Sequence, residues 1–474
     1  MVDFQSWSSS SHPIVKLVDD WNNLLAHGLM RKYKWLCVPD GSYYEVINGN
    51  TGNIAYGGEE NVGGIDGSDP DAVMQSALTN VSGTSIDAIA VRGDWTIGTT
   101  LSLSAYTDLD LYGATLTLGD SVDDDMFECK GWHWRVRGGH LEGNSANNAS
   151  GSGIKIGTDT ETQRFFVGDG MILHDFKDYG IHINSTAGNL VGVGTFRSID
   201  IEDCGDHGFF ADQYTADHMI HNVNVGGCGG SGITFNSGMN SNTITGCLIW
   251  NNTERGIYLT AADANTIVGN RVDYNGYQGI ALSDGSNYNM VANNIVYNSS
   301  YGNGEVYSGI EINDSINNVI LNNISTRAGG VTEQLYGILE KNTDSLPEAS
   351  DYNTIRGNWC RGNKYTADGY NVLGTNNTCF DKTVKSYKSL DLSGAADYVT
   401  LYHATSDTHI ARAVLVYTEA SSADDPVAND LQIGDETSNT YFYQGTSEAS
   451  KAIWYTSNIT GSLLKTDLPA GETL

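Results

Sequence analysis

Along the middle of the chain, apolar and polar residues alternate in short runs that return after a glycine. The runs read Gly153-Ile-Lys-Ile, Gly180-Ile-His-Ile, Gly208-Phe-Phe-Ala, Gly232-Ile-Thr-Phe and Gly256-Ile-Tyr-Leu. They continue as Gly279-Ile-Ala-Leu, Gly309-Ile-Glu-Ile, Gly337-Ile-Leu-Glu and, more loosely, Gly369-Tyr-Asn-Val, spaced 23 to 32 residues apart. A second mark, Asn-x-aliphatic, recurs at Asn242, Asn265, Asn289, Asn318 and Asn353. Alternation with period two is the pattern of a half-buried strand. The spacing leaves no room for a long helix between runs. Units of this length bury their apolar faces by stacking. The pattern therefore predicts an all-β solenoid: a single-stranded parallel β-helix of two or three short strands per coil. Asn and Gly are expected to supply positive φ at the corners, with stacked Asn amides bonding along the axis.

The stretch NTIVGNRVDYNGYQGIALSDGSNYNMVANNIVYN, residues 265–298, resembles the right-handed parallel β-helix repeat of pectate-lyase-like proteins, carbohydrate-processing repeat proteins and viral tailspikes. The resemblance spans roughly residues 69 to 378. It specifies fold far better than function. SDPDAVMQSALTNVSG followed by LSLSAYTDLDLYGATLTLGD is similar to the opening of that superfamily, a short helix that plugs the end and then the first coils. A plug is physically needed, because an uncapped solenoid exposes core and strand edges.

Three regions follow. Residues 1–68 form a small α+β attachment or assembly region: HPIVKLVDDWNNLLAHG carries an apolar stripe at Ile14, Leu17, Val18, Trp21, Leu24 and Leu25, and short strands follow it. Residues 69–380 form the capped β-helix. Residues 381–474 lose the Asn-Gly signature and become alternating strands such as ARAVLVYTEA and KAIWYT, read as a jelly-roll-like β-sandwich.

Charge changes the picture next. Asp and Glu number 57 against 25 Lys and Arg, a net of −32. That balance argues against a nucleic-acid backbone or an anionic lipid surface as partner. It resembles the surfaces of proteins from salt-loving organisms, where self-repulsion is screened. The start has no secretory-signal pattern, and no window reaches membrane-span length, so membrane insertion is not expected. Seven cysteines with irregular spacing read as buried thiols. Cys204 and Cys228 hold the place that Asn252 and Asn275 hold in later coils, so they are expected to stack in a turn.

Chemistry is harder to find. Walker, HExxH and GxSxG strings are absent, and no cofactor is expected. Gly227–Gly232 matches GxGxxG but precedes a strand, so it reads as a turn. His218 and His221 lie three apart on a strand and face opposite sides. Asp120, Asp123, Asp124 and Asp125 are the weak candidates for a hard-cation site. If each Gly-Ile mark starts an equivalent strand, the residue two after the glycine faces outward: Lys155, His182, Phe210, Thr234, Tyr258, Ala281, Glu311 and Leu339 in turn. Two further on come Asn184, Asp212 and Asn236. Two before the glycine come Asp178, Asp206, Glu254, Tyr277 and Tyr307.

Rings for sugar faces and polar tips for hydroxyls are what a glycan groove needs. The candidate glycan-binding set is His182, Phe210, Asp212, Tyr258, Tyr277, Tyr307 and Glu311. Carboxylates on adjacent or alternate coils fall within the ~5 to 9.5 Å of glycosidase pairs. Asp178, Asp206, Asp212 and Glu254 are the weak catalytic candidates, though so acidic a solenoid makes such pairs by coincidence.

Three functions compete: a viral tail or capsid spike attaching a virion to host-surface glycans or glycoproteins; the same spike as a polysaccharide depolymerase, hydrolase rather than lyase; and a cellular surface carbohydrate-active protein. The first is favoured. It implies a virion-surface location, virion partners for the N-terminal region, and a homo-oligomer, by resemblance a trimer.

Overall fold

Each coil places three residues in a strand, turns a corner, and repeats this twice more before the chain rises to the next level. The computed structural model describes residues 33–360, with breaks at 158–161, 186–189, 214, 305, 328–333, 342–349 and 351. Beyond these it describes Asn363 and the backbone of 370–371, 378–380, 412–415, 430–435, 440–446 and 453–456. One full coil is Thr243–Thr245, Leu248–Trp250 and Ile257–Thr260. Its three strands belong to three long sheets, here A, B and C, of 15, 10 and 11 strands.

The register runs coil on coil with neighbours parallel: Ile244 beside Ile267, Ile249 beside Val272, Ile257 beside Ile280. These side chains point inward and are fully buried. The alternation in the sequence is therefore the inside and outside of a parallel β-helix.

The helix expected to plug the solenoid is α1, Pro70–Thr79. Asp69 caps it, accepting from the Ala72 N–H at 3.0 Å, and Pro70 opens the first turn where its missing N–H is harmless. Val73, Met74, Ala77 and Leu78 are fully buried in the same core as Trp95 and Leu103. Strands β1 (Trp35–Asp40), β2 (Tyr43–Asn48) and β3 (Ile54–Gly57) extend sheet A: β1 pairs parallel with Asp87–Val91 and antiparallel with β2. The amphipathic stripe at residues 14–25 lies outside the described residues.

The chain divides into two units, Met1–Lys388 and Ser389–Leu474. In the second, Arg412–Leu415 pairs antiparallel with Ile453–Thr456, and Asp430–Asp435 with Thr440–Thr446. The rest of the expected sandwich lies outside the described residues.

Asparagine builds the corners as expected. One ladder, Asn242, Asn265, Asn289, Asn318 and Asn353, stands just before the sheet A strands. In it the Asn265 Oδ1 accepts from both the backbone N–H and the side-chain amide of Asn242, each at 2.9 Å. A second ladder precedes sheet B: Cys247, Asn270, Asn294, Asn323 and Asn358. A third follows sheet B, where Cys228 N–H donates to Asn252 and Asn252 to Asn275. Cys204 and Cys228 are buried in that turn, and the contact with Cys228, then burial, push the Cys204 thiol well up.

The glycines of the Gly-Ile mark are needed for close packing between coils. Gly180, Gly208, Gly232, Gly256 and Gly279 do not have positive φ. A Cβ at any of them would lie 2.6–3.0 Å from the carbonyl oxygen of the equivalent glycine one coil up. Positive φ falls, as expected, on Asn and Gly at the corners, such as Asn222, Asn251, Asn293, Asn322, Gly246 and Gly269, and also on Asp175, Ser198 and Asp203.

His218 is fully buried, with Nδ1 accepting from the Gly194 N–H at 3.1 Å and Phe166 and Phe196 beside its ring. His221 is exposed. Burial holds the His218 pKa down at about 3, against an ordinary 6.5. Between those values the unfolded chain binds a proton that the folded chain refuses. Its contribution to stability is thus complete above pH 6.5 and is lost as pH falls toward 3. Denaturation midpoints at pH 7 and pH 5 should show a loss of about 2 kcal/mol from this residue. His218→Gln, which keeps an acceptor for Gly194, should remove that part of the slope.

Candidate functional site

The outer face of sheet C carries the stack read from the sequence. The register places Glu128, Lys155, His182, Phe210, Thr234, Tyr258, Ala281, Glu311 and Leu339 one above another. The column is not uniformly open. Thr234, Ala281 and Glu311 are buried, and Glu311 is ion-paired with Lys341 at 2.9 Å. Glu311 is therefore not a free polar tip, contrary to its place in the glycan-binding set.

The richest part of the face lies over the coils of residues 178–212. Tyr179 stacks on Phe210 with centroids 5.0 Å apart and planes 14° apart, and packs against His182 at 4.6 Å. His207 joins them, 5.2 Å from Phe210 and 6.0 Å from Tyr179. Asp206 lies beside Tyr179, and burial, then the charges of Asp206 and Asp178, push the Tyr179 pKa up to about 12. At neutral pH the phenol is a proton donor. His207 Nδ1 accepts from the Ser231 N–H at 2.7 Å, so the ring proton sits on Nε2, 3.6 Å from Asp206 Oδ1. Burial lowers the pKa of both His182 and His207, which keeps them neutral.

Four aromatic rings and one partly exposed carboxylate thus converge. Tyr179 and His207 were missed in the outward columns, because they sit immediately before the glycine. That column reads Ser152, Tyr179, His207, Ser231, Arg255 and Gln278.

The other candidates are more committed to the scaffold. Asp178 accepts from the Gly151 N–H at 2.8 Å, and Asp212 accepts from Asn236 at 3.0 Å. Glu254 accepts from the Ser231 hydroxyl at 3.2 Å and lies 3.8 Å from Arg255. The Arg255 guanidinium covers the Tyr258 ring at 4.1 Å, and Tyr277 packs on Tyr307 at 4.5 Å. A surface depression of about 320 Å³ opens at the neighbouring corner, lined by Asn251, Thr253, Tyr274, Tyr301 and Asn303.

The four aspartates considered for a cation do not converge. Asp120 accepts from Asn144, Asp123 from the Ala149 N–H, Asp124 from the Asp125 N–H, and Asp125 from the Ser152 N–H while pairing with Lys155 at 3.1 Å. Three of the four spend their oxygens on the next coil.

The model of the right-handed β-helix region matches residues 139–306 and 179–345. The solenoid is a right-handed parallel β-helix. Among solved structures, the A-module of the mannuronan C-5 epimerase AlgE6 of Azotobacter vinelandii is similar at 15% identity and a TM-score of 0.52. That match covers 66% of this chain and 94% of that one. The AlgE4 A-module of the same organism gives 16% identity and 0.51 over 66% and 96%. The Dettilon tailspike protein gives 16% identity and 0.46 over 66% and 65%. At these identities the likeness is one of fold. No curated protein matches the sequence.

Proposed function

We propose that the sheet C face is a groove for an extended glycan, and that the protein attaches to carbohydrate on a cell surface. The observation that carries this is the convergence of Tyr179, His182, His207 and Phe210 beside the partly exposed Asp206, with Tyr258, Tyr277 and Tyr307 continuing the face along the axis. Coils rise by about 4.8 Å, so successive rings and polar tips present a repeat on the scale of a sugar residue. A capped solenoid with further regions at both ends suits a spike that displays such a groove, and a viral surface spike is the setting favoured here. A homotrimer, virion proteins held by the N-terminal region, and a saline environment belong to the same reading.

Charge narrows the ligand. Lys155 is tied to Asp125 and Arg255 to Glu254, so among the described residues no lysine or arginine is ion-paired with Asp178, Asp206 or Asp212. Such a groove repels a polyuronate and favours neutral or amino-sugar chains, so the epimerase likeness brings no substrate with it. Binding to immobilised neutral, amino-sugar and uronate polysaccharides tests this. Phe210→Ala should weaken binding about tenfold or more. Tighter binding to polyuronates than to neutral chains would overturn the assignment.

A second reading has its own observation. A protonated Tyr179 phenol beside Asp206 sets a proton-bearing group next to a carboxylate on adjacent coils, which is equipment for bond cleavage. Release of oligosaccharides from host envelope by wild type, abolished in Asp206→Asn, would make the groove a depolymerase site. Undiminished binding without release would leave it an adhesin.

A further inference from the structure

The outer face of sheet B, away from the groove, holds a second cluster. His140 and Glu142 are two apart on the strand His140–Glu142, so both point outward, and His174 stands directly above Glu142 on the next coil. Glu142 Oε2 lies 3.3 Å from His140 Nε2 and 3.1 Å from His174 Nδ1. The donor atoms of all three residues lie within 4.8 Å of one another. Asp203, from the coil above, sits 3.2 Å from His174 Nε2.

We propose that His140, Glu142 and His174 form a binding site for a zinc-class divalent cation. Metal arms of about 2.05 Å set tetrahedral ligand edges of about 3.3 Å, which the His140–Glu142 and Glu142–His174 separations already match. Two imidazoles and one carboxylate are a borderline donor set that suits zinc better than calcium or magnesium. Asp203 completes the arrangement. By accepting the Nε2 proton of His174 it fixes the tautomer that leaves Nδ1 free for the ion, the usual role of a carboxylate behind a ligating histidine. The side chains are 25–43% exposed, so the fourth position is open to water or an incoming ligand. The site joins adjacent coils and is independent of the glycan groove.

The test uses the full chain, stripped with a chelator and dialysed against zinc in excess magnesium, which occupies the many weak surface carboxylates. One zinc per chain is expected, with a tetrahedral cobalt(II) visible spectrum on substitution. Glu142→Gln and His140→Asn should each lower zinc affinity about a hundredfold or more. Asp203→Asn should weaken it by about 10 to 100-fold, as loss of an outer-shell partner does. Circular dichroism checks that each variant is folded. His140 is the most exposed ligand, so His140→Asn remains informative if Glu142→Gln perturbs the fold. Absence of a stoichiometric site, or a site that survives both ligand substitutions in folded protein, overturns the proposal. In either case the cluster is a histidine–carboxylate hydrogen-bond network alone.

Discussion

Asn294→Ala is expected to destabilise the protein by about 3 to 5 kcal/mol, among the largest effects of any polar substitution in it. Asn294 is buried, and its amide makes four bonds. Oδ1 accepts from the Asn270 backbone N–H at 2.9 Å and the Asn270 amide at 3.0 Å. Nδ2 donates to the Ile267 carbonyl at 2.9 Å and to Asn323 Oδ1 at 3.0 Å. Alanine removes all four and leaves the Asn270 N–H and amide, the Ile267 carbonyl and Asn323 Oδ1 buried without that partner. The loss spreads along the ladder, because each amide is oriented by the next. Thermal or urea unfolding measures it. Asn50→Ala, at an exposed turn, should change stability by no more than about 0.5 kcal/mol. Equal effects of the two substitutions would show that the ladder adds nothing beyond its turns.

Gly256→Ala should be at least as severe although it adds a single methyl group, at a cost of about 4 kcal/mol or more and with loss of soluble protein. The new Cβ would lie 2.3 Å from Val272 Cγ1 and 2.6 Å from the Gly279 carbonyl oxygen. Neither neighbour is the loose end of a long side chain, so relief requires the coils to separate and sheet C to lose register. Gly269 supplies the contrast. It has a φ of +69°, and an added Cβ would meet nothing within 4 Å. Its equivalents in later coils are Asn293 and Asn322, which hold the same left-handed conformation. Gly269→Asn should therefore be tolerated within about 1 kcal/mol. Expression yield and melting temperature of the two variants separate a glycine required by packing from one required by backbone conformation.

The groove was partly legible beforehand. Reading outward from the Gly-Ile mark placed Lys155, His182, Phe210 and Tyr258 in their true order, because a parallel register with one strand per coil leaves no freedom to shuffle them. The same reading failed for burial. Glu311 and Ala281 occupy outward positions yet are buried, and a strand pattern does not report which outward positions are covered. It also passed over Tyr179 and His207, whose position before the glycine lies in a corner where period-two reasoning stops.

By itself the sequence determined the β-helix, its strand positions, the plugging helix and the asparagine ladders. Each follows from a periodic demand, for apolar burial or for amide pairing, that repeats at every coil and so is written many times over. The tertiary structure decided what is particular to one level of the stack. It brought Tyr179 to Asp206, tied Lys155 to Asp125, showed why the glycines of the mark are needed, and set His140 and His174 on either side of Glu142. The Tyr179–Asp206, Asp125–Lys155 and Glu142–His174 contacts join residues one coil apart through side-chain directions at single levels. A feature that occurs once leaves no period in the sequence to read.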